Sequence, residues 1–475
     1  MAVKRPMKQA PSLIDGTRSP NLVIFSLSWP VILDQTFHTL MGYVDTAMVG
    51  SLGAAATASI AVTASTMWLL MGIMYAFGSA YSILIARAIG AKDQEKITKG
   101  VQQSILAIVL LSFVITSLVR GISGQLPLWM GVEPHVAPMS SSYLRIVSYS
   151  FPFFITFVFF SNIIRTSGDT KTPLISNVFT NILNVIGNFF LIFPSRVIHI
   201  AGQPIELWGA DLGVEGAAIA TLISRIVSAL ILLTVMLFRE NAIRIRFRGF
   251  LFHFEKAYSR QVFTIALPMA AERATLSTGQ IVLTGLASSL GTASLAAHHL
   301  AITAESITFM PVSGFSLAAA TLVAQSLGAG KKEMARDFAR RVLTGGILLM
   351  SLTGVLLYIF SYHLLGLFTP DEQVILLGGK VLRIEAFAQP FFAMSIVISG
   401  ILRGAGDTRW PFIYSVIGMW GVRLLPAFIM VTFFGGSLMV LWVCMVADLV
   451  VRGLLNFYRY RTGSWIEFWE NRHQE

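Results

Sequence analysis

Along this chain, apolar residues gather into runs separated by short polar stretches, and the runs are longer than a soluble core needs. A helix must offer about 20 apolar residues to cross a hydrocarbon layer about 30 Å thick. Twelve runs reach that length, at 22–46, 58–86, 103–121, 141–163, 173–195, 213–237, 260–286, 296–325, 342–361, 376–400, 411–434 and 437–458. The pattern predicts an all-α polytopic membrane protein with twelve transmembrane helices. Twelve is even, so both termini are expected on one side.

Sliding the sequence against itself exposes an internal repeat at an offset of 238. Pro30 falls on Pro268, Ser51-Leu52-Gly53 on Ser289-Leu290-Gly291, Phe77 on Phe315, and Gly90-Ala91 on Gly328-Ala329. In the same register Leu144-Arg145-Ile146 meets Leu382-Arg383-Ile384, and Pro152 meets Pro390. The run Arg165-Thr-Ser-Gly-Asp-Thr-Lys-Thr-Pro173 meets Arg403-Gly-Ala-Gly-Asp-Thr-Arg-Trp-Pro411. Each copy holds six spans, so both enter the membrane with one orientation, as two six-helix bundles related by a pseudo-two-fold along the membrane normal. The predicted organisation is a cytoplasmic N-terminal segment 1–21, an N-lobe 22–238, a cytoplasmic linker 239–259, a C-lobe 260–458 and a cytoplasmic tail 459–475.

Composition removes other classes. Of 475 residues, 55% are hydrophobic and 12% charged, with a mean hydropathy of +0.71. Soluble domains carry about twice that share of charge, so a soluble enzyme is excluded. The net charge of +11 would point to nucleic acid in a soluble protein. Here about 25 of the 35 basic residues lie in segments on one side of the spans. Among them are Lys4, Arg5, Lys8, Arg18, Arg244, Arg246, Arg248, Lys331, Lys332, Arg459, Arg461 and Arg472. The opposite loops hold essentially Arg196, beside Glu133, Glu206, Asp211, Asp371 and Glu372. The positive-inside rule then places both termini in the cytoplasm, and nucleic acid is not an expected partner. The basic start of the chain lacks a short apolar core and cleavage site, so the first run is read as a retained membrane helix. Cys444 is the single cysteine, which rules out an internal disulfide. No P-loop is present, so ATP is not the direct energy source. No Cys/His cluster suits a metal, and His298 and His299, being adjacent, cannot share a helix face. A catalytic constellation is likewise missing, and an enzyme is not expected.

An ionisable side chain inside a span costs about 2.5–3.5 kcal/mol on insertion scales and asks for a reason. Asp34, His38 and Asp45 in the first span share one helical face. That face suits a proton or cation site; an interfacial cap for Asp45 and a core histidine for His38 are the plainer alternatives. The fifth span carries Asn177, Asn181, Asn184 and Asn188 as a stripe, able to serve a carboxylate or to join helices. Glu272 stands at the repeat position of Asp34, each four residues after its proline, whereas the repeat partner of Asp45 is Leu283. Arg273, Glu305, Glu385 and Arg383 are further intramembrane charges, and Asp448 and Arg452 at i,i+4 suit an ion pair. Arg145 and Arg383 lie near the outer boundary, where snorkelling is expected. The R-x-x-G-D-T-[KR]-x-P motifs read as cytoplasmic turns, with Gly for unusual backbone angles, Asp-Thr to cap the next helix and Pro in its first turn; a gate hinge is the alternative.

The sequence resembles the multidrug and toxic compound extrusion (MATE) transporters over residues 22 to 465. The resemblance is carried by Val44-Asp-Thr-Ala-Met-Val-Gly-Ser-Leu-Gly53, the paired R-x-x-G-D-T motifs, Gly328-Ala329-Gly330 and Arg459-Tyr-Arg-Thr-Gly-Ser-Trp465. It implies a V-shaped pair of bundles in the bacterial inner membrane. It also implies export of small amphipathic, often cationic, molecules driven by inward flow of H+ or Na+, with no cofactor. Asp45 matches the family's functional first-helix aspartate. Asn184, Asn188 and Thr221 match polar positions that some members use beside it. One of these is acidic in some members and is Asn188 here, which departs from a two-carboxylate site. Coupling is expected to centre on Asp34 and Asp45 with Glu272 in the second lobe, and the protein is expected to act as a monomer. A flippase or exporter of a lipid-linked or endogenous metabolite is the alternative.

Overall fold

The computed structural model describes residues 13–131, 133–200, 203–239, 243–245 and 254–471. Lys4, Arg5, Lys8, Arg246, Arg248 and Arg472, counted above for the inner side, and the Glu206 side chain, counted for the outer, lie outside what is described. So do parts of the expected N-terminal segment, linker and tail.

The first half runs through α1 (Pro20–Gly50), α2 (Ala54–Gly90), α3 (Gln94–Ile122), a short α4 (Leu126–Trp129), α5 (Ala137–Ser148), α6 (Phe151–Thr166), α7 (Lys171–Leu191) and α8 (Gly213–Phe238). The second comprises α9 (Lys256–Ser289), α10 (Thr292–Gly328), α11 (Lys332–Gly366), α12 (Glu372–Ala386) and α13 (Gln389–Gly404). It continues through α14 (Arg409–Val416), a π-helical stretch Ile417–Leu424, α15 (Leu425–Phe434), α16 (Leu438–Arg461) and α17 (Ser464–Asn471). Among the described residues eight helices are long and apolar enough to cross a membrane, and the pairs α5–α6 and α12–α13, each taken as one span, add two more, bent by 49° and 58°. α1 and α9, with 31 and 34 residues, bring the total to twelve. They fall short in apolarity, and they are the helices that carry Asp34, Asp45 and Glu272.

The repeat in sequence is a repeat in structure. α2 and α10 begin at Ala54 and Thr292 and end at Gly90 and Gly328, while α3 and α11 begin at Gln94 and Lys332, every pair 238 apart. The bends recur too, between Ser148 and Phe151 and between Ala386 and Gln389. Two expected single spans, 141–163 and 376–400, are therefore each broken. The cause is Pro152 and Pro390 at the start of α6 and α13, where a missing N–H and a ring clash interrupt the helical ladder. A second difference is an antiparallel hairpin, β1 (Pro194–Ile200) with β2 (Gln203–Ala210), where the sequence suggested only an outer loop.

The described chain forms two compact units. One gathers 34–85 with the described part of 94–259, and the other gathers 13–33, 86–93 and 260–471. The second unit has a continuous apolar core that includes Leu27, Val323, Val342, Ile398 and Trp465. Another cluster in the same unit joins Leu283, Ala301, Val381 and Trp442. In both units large apolar side chains stand outward, such as Phe113 and Leu118 in one and Leu348 and Phe433 in the other. Bands of this kind are stable against acyl chains, not water.

Candidate functional site

In the first unit α1 and α7 lie alongside each other, joined at two polar rungs. At the lower rung, buried Asp34 accepts from Asn177 Nδ2 on Oδ1 at 2.6 Å and from Arg165 Nη2 on Oδ2 at 2.7 Å. At the upper rung, Asp45 Oδ1 accepts from Asn188 Nδ2 at 2.7 Å. The amide of Asn184, in the orientation its neighbours satisfy, donates to Asp45 Oδ1 and Oδ2 at 3.0 and 3.1 Å while its oxygen accepts from the Thr221 N–H at 3.3 Å. The rungs are eleven residues apart on both helices, close to three helical turns, which is why the same faces meet twice. Asn181 braces the stripe by donating to Asn177 Oδ1 at 3.1 Å. The hydroxyl of Thr221 is turned back to its own helix, donating to the Ala217 carbonyl at 2.9 Å.

The second unit repeats the lower rung. Glu272 Oε2 accepts from Arg403 Nη2 at 2.7 Å, and Glu272 Oε1 takes a long 3.5 Å bond from the Ser415 hydroxyl. Arg403 and Ser415 stand 238 positions after Arg165 and Asn177. The repeated turn motif thus has two parts. Its later residues build the turn, with Gly168 and Gly406 at φ of +90° and +80°, and Asp169 Oδ1 accepting from Thr172 N at 3.0 Å at the start of α7. Its arginine, on the last turn of the preceding helix, holds the buried acid of α1 or α9. The turn reading of the sequence missed this role, although two arginines and two acids recurring at one offset were the available signal.

Among the described residues a different constellation occurs in the second unit. Asp448, with no exposed surface, is held by Arg452 through Nε at 2.6 Å and Nη2 at 2.7 Å, which is the i,i+4 pair expected from the sequence. Arg423, in the π-helical stretch, adds Nη2 at 2.7 Å to Asp448 Oδ2. Packed beside them are Glu305 of α10 and Glu385 of α12, 8% and 0% exposed. Gly418 makes room for this packing, since a Cβ there would lie 2.0 Å from Asp448 Oδ1.

The remaining candidates are scattered. His38 and Arg273 are exposed. Arg383 lies over the rings of Tyr358 and Tyr362. His298 is buried and accepts from Trp442 Nε1 at 3.2 Å. Arg225, not singled out from the sequence, donates to Ser150 Oγ at 2.6 Å and covers the Phe154 ring in the first unit.

Chemically, the upper rung is a carboxylate faced by amide N–H groups. Such donors stabilise the ionised form, and the carboxylate can take up and release a proton.

Comparison with known proteins places these sites in context. The MatE family model matches residues 30–190 and 268–429, covering both lower and upper rungs. The "Probable multidrug resistance protein NorM" of Thermotoga maritima is 28% identical over 93% of this chain and 92% of its own length. The "Uncharacterized transporter YisQ" of Bacillus subtilis is 26% identical over 97% and 99%. A crystal structure of a MATE mutant superposes with a TM-score of 0.88 at 19% identity, covering 98% of this chain and all of that one.

Proposed function

This chain belongs to the MatE family of multi-pass membrane transporters, not enzymes, and on that premise we propose that it is a secondary active antiporter for multidrug efflux. It exports small amphipathic, mainly cationic, compounds across the bacterial inner membrane, with both termini cytoplasmic and the chain acting as a monomer. The lobes 22–238 and 260–458 alternate access by moving about the linker 239–259. Inward flow of H+ drives the cycle. The observation that carries this reading is the upper rung, where Asp45 receives N–H donors from Asn188 and Asn184. Protonation of Asp45 removes the charge those amides serve, loosens α1 from α7, and so ties a proton to a rearrangement of the helices that hold it. H+ is preferred to Na+ because the hydrogen bonds that Asp45 makes are to amide N–H groups.

The test is efflux of a cationic dye from proteoliposomes under an imposed pH or Na+ gradient. A pH gradient alone is expected to drive export, and Asp45→Asn, folded and reconstituted at wild-type levels, is expected to fall to background. Export indifferent to both gradients, or wild-type export by Asp45→Asn, would overturn the proposal.

A further inference from the structure

Half-way along α8, Arg225 puts a guanidinium into the middle of a span, too far from either helix end to snorkel to water. Its counterpart in the second unit is Arg452. The hairpin has no match between α15 and α16, so α8 and α16 register at an offset of 227. There Ala220-Thr221-Leu222 falls on Ala447-Asp448-Leu449, and Arg225 on Arg452. Arg452 finds Asp448 one turn before it and pairs with it through two nitrogens. Arg225 has Thr221 there instead, and the Thr221 hydroxyl is turned back to the Ala217 carbonyl. The two units share the arginine but not its acid. Among the described residues no carboxylate pairs with Arg225.

What touches Arg225 uses little of its bonding capacity. Nη1 donates to Ser150 Oγ at 2.6 Å, and the Ser150 hydroxyl spends its own proton on the Val147 carbonyl. The Phe154 ring lies 4.7 Å from the guanidinium carbon, and a ring on that face engages none of the N–H groups, which point outward in the plane. Nε and Nη2 make no hydrogen bond among the described residues. The Nε atoms of Arg165, Arg403 and Arg423 are sealed, whereas Arg225 is only half-buried and its unused edge is open. Tyr75 from α2, Tyr143 from α5 and His38 from α1 lie within electrostatic reach of the charge, so this edge points into the bundle and not at lipid. Asp45 acts on Tyr143 as well, so acid and base border one interior.

We propose that Arg225 is the anion-binding end of the export site in the N-lobe, taking a carboxylate of the transported compound through Nε and Nη2. Tyr75 and Phe154, edge to face with centroids 6.1 Å apart, supply the aromatic wall beside it. The substrate class this selects is an aromatic amphipath that carries a carboxylate beside its cationic group, rather than a cation alone. A guanidinium fork meets a carboxylate with two parallel charge-assisted bonds, and a neutral ester offers no charge to answer them. At the offset of 238, Ser150 and Tyr143 become Ala388 and Val381, so the selection belongs to the first lobe.

The inference names a substrate class for the exporter proposed above and rests on that reading, but it is measured as binding, without a gradient. The purified full-length protein in lipid nanodiscs is titrated by fluorescence anisotropy with two dyes. Rhodamine 110 carries a free carboxyl, and rhodamine 123 is the methyl ester of the same dye. The wild type is expected to bind the acid about tenfold more tightly than the ester, the equivalent of one hydrogen bond to a charged group. Arg225→Gln is expected to weaken the acid about tenfold without weakening the ester, whose positive charge Arg225 repels. Arg225→Lys, which keeps the charge but not the fork, is expected to fall between the two. Should Arg225→Gln fail to fold, Thr221→Asp decides: it gives Arg225 the acid that Arg452 has, and is expected to lower the preference for the carboxylate in the same way. A wild type that binds both dyes alike, or a preference unchanged in Arg225→Gln or in Thr221→Asp, would overturn the site. Export indifferent to both gradients with the preference intact would instead overturn the antiport reading.

Discussion

The two lobes grew from one repeat but keep different halves of one polar design. Both retain the lower rung, Asp34 with Arg165 and Asn177 in one, Glu272 with Arg403 and Ser415 in the other. Only the N-lobe keeps the upper rung. At the offset of 238, Asp45 becomes Leu283, and the stripe Asn177, Asn181, Asn184, Asn188 becomes Ser415, Met419, Val422, Pro426. Leu283 is fully buried in an apolar cluster. The C-lobe has placed its charge elsewhere, in the sealed cluster of Glu305, Glu385, Arg423, Asp448 and Arg452. What recurs is the element that ties a buried acid to the end of the helix before the turn. What has diverged is where each lobe keeps the rest of its buried charge.

Breaking the shared rung is expected to have the largest effect. Arg165→Gln leaves Asp34 buried without its cation, a loss of about 3–5 kcal/mol for a pair of this kind. Arg403→Gln should cost less, about 1–3 kcal/mol, because 29% of the Arg403 side chain reaches solvent against 11% for Arg165. Thermal unfolding in detergent measures both, and recovery in Arg165→Gln/Asp34→Asn would show that the stranded charge is the cause. Equal losses in the two lobes would contradict the burial argument.

Next in size is Gly418→Ala, which drives a Cβ into Asp448 and should destabilise by about 1–3 kcal/mol, the usual range for overpacking. The N-lobe has Thr180 at the matching position, and Thr180→Ala should unfold within about 1 kcal/mol of wild type. Asn188→Ala removes the shortest donor to Asp45 and is expected to weaken proton-coupled efflux about tenfold, the kinetic equivalent of a lost bond to a charged group. A wild-type efflux rate in proteoliposomes would detach the upper rung from coupling. The smallest contrast lies between Asn177→Ala and Ser415→Ala. The first removes a 2.6 Å bond and the second a 3.5 Å one, so only the Asn177 variant should shift the midpoint measurably.

Much of this was legible in the chain itself. Hydropathy runs and the offset of 238 foretell twelve spans in two bundles, because both are local or periodic properties. Pro152 aligned with Pro390 also marked where two spans bend, although the length count treated each as straight. The asparagine stripe and the face shared by Asp34 and Asp45 follow from helical phase alone. The hairpin escaped notice because its sides are too short to contrast with the polar loops around them.

Helical phase states which residues share a face but not which helix that face meets. Asp34 finds Asn177 and Asp45 finds Asn188 at a separation of 143 residues, and Arg165 reaches Asp34 over 131. Those matches depend on how helices pack, and packing is decided by side-chain volume and close approach across the whole bundle. The sequence by itself therefore determined the span count, the repeat and the candidate acids, since these are written in period and composition. Only the tertiary structure decided each acid's partner, giving amide donors to Asp45, an arginine to Asp34 and to Glu272, and two arginines to Asp448. Burial makes those partners consequential, for a charge withdrawn from water is stabilised by whatever the fold sets within bonding distance.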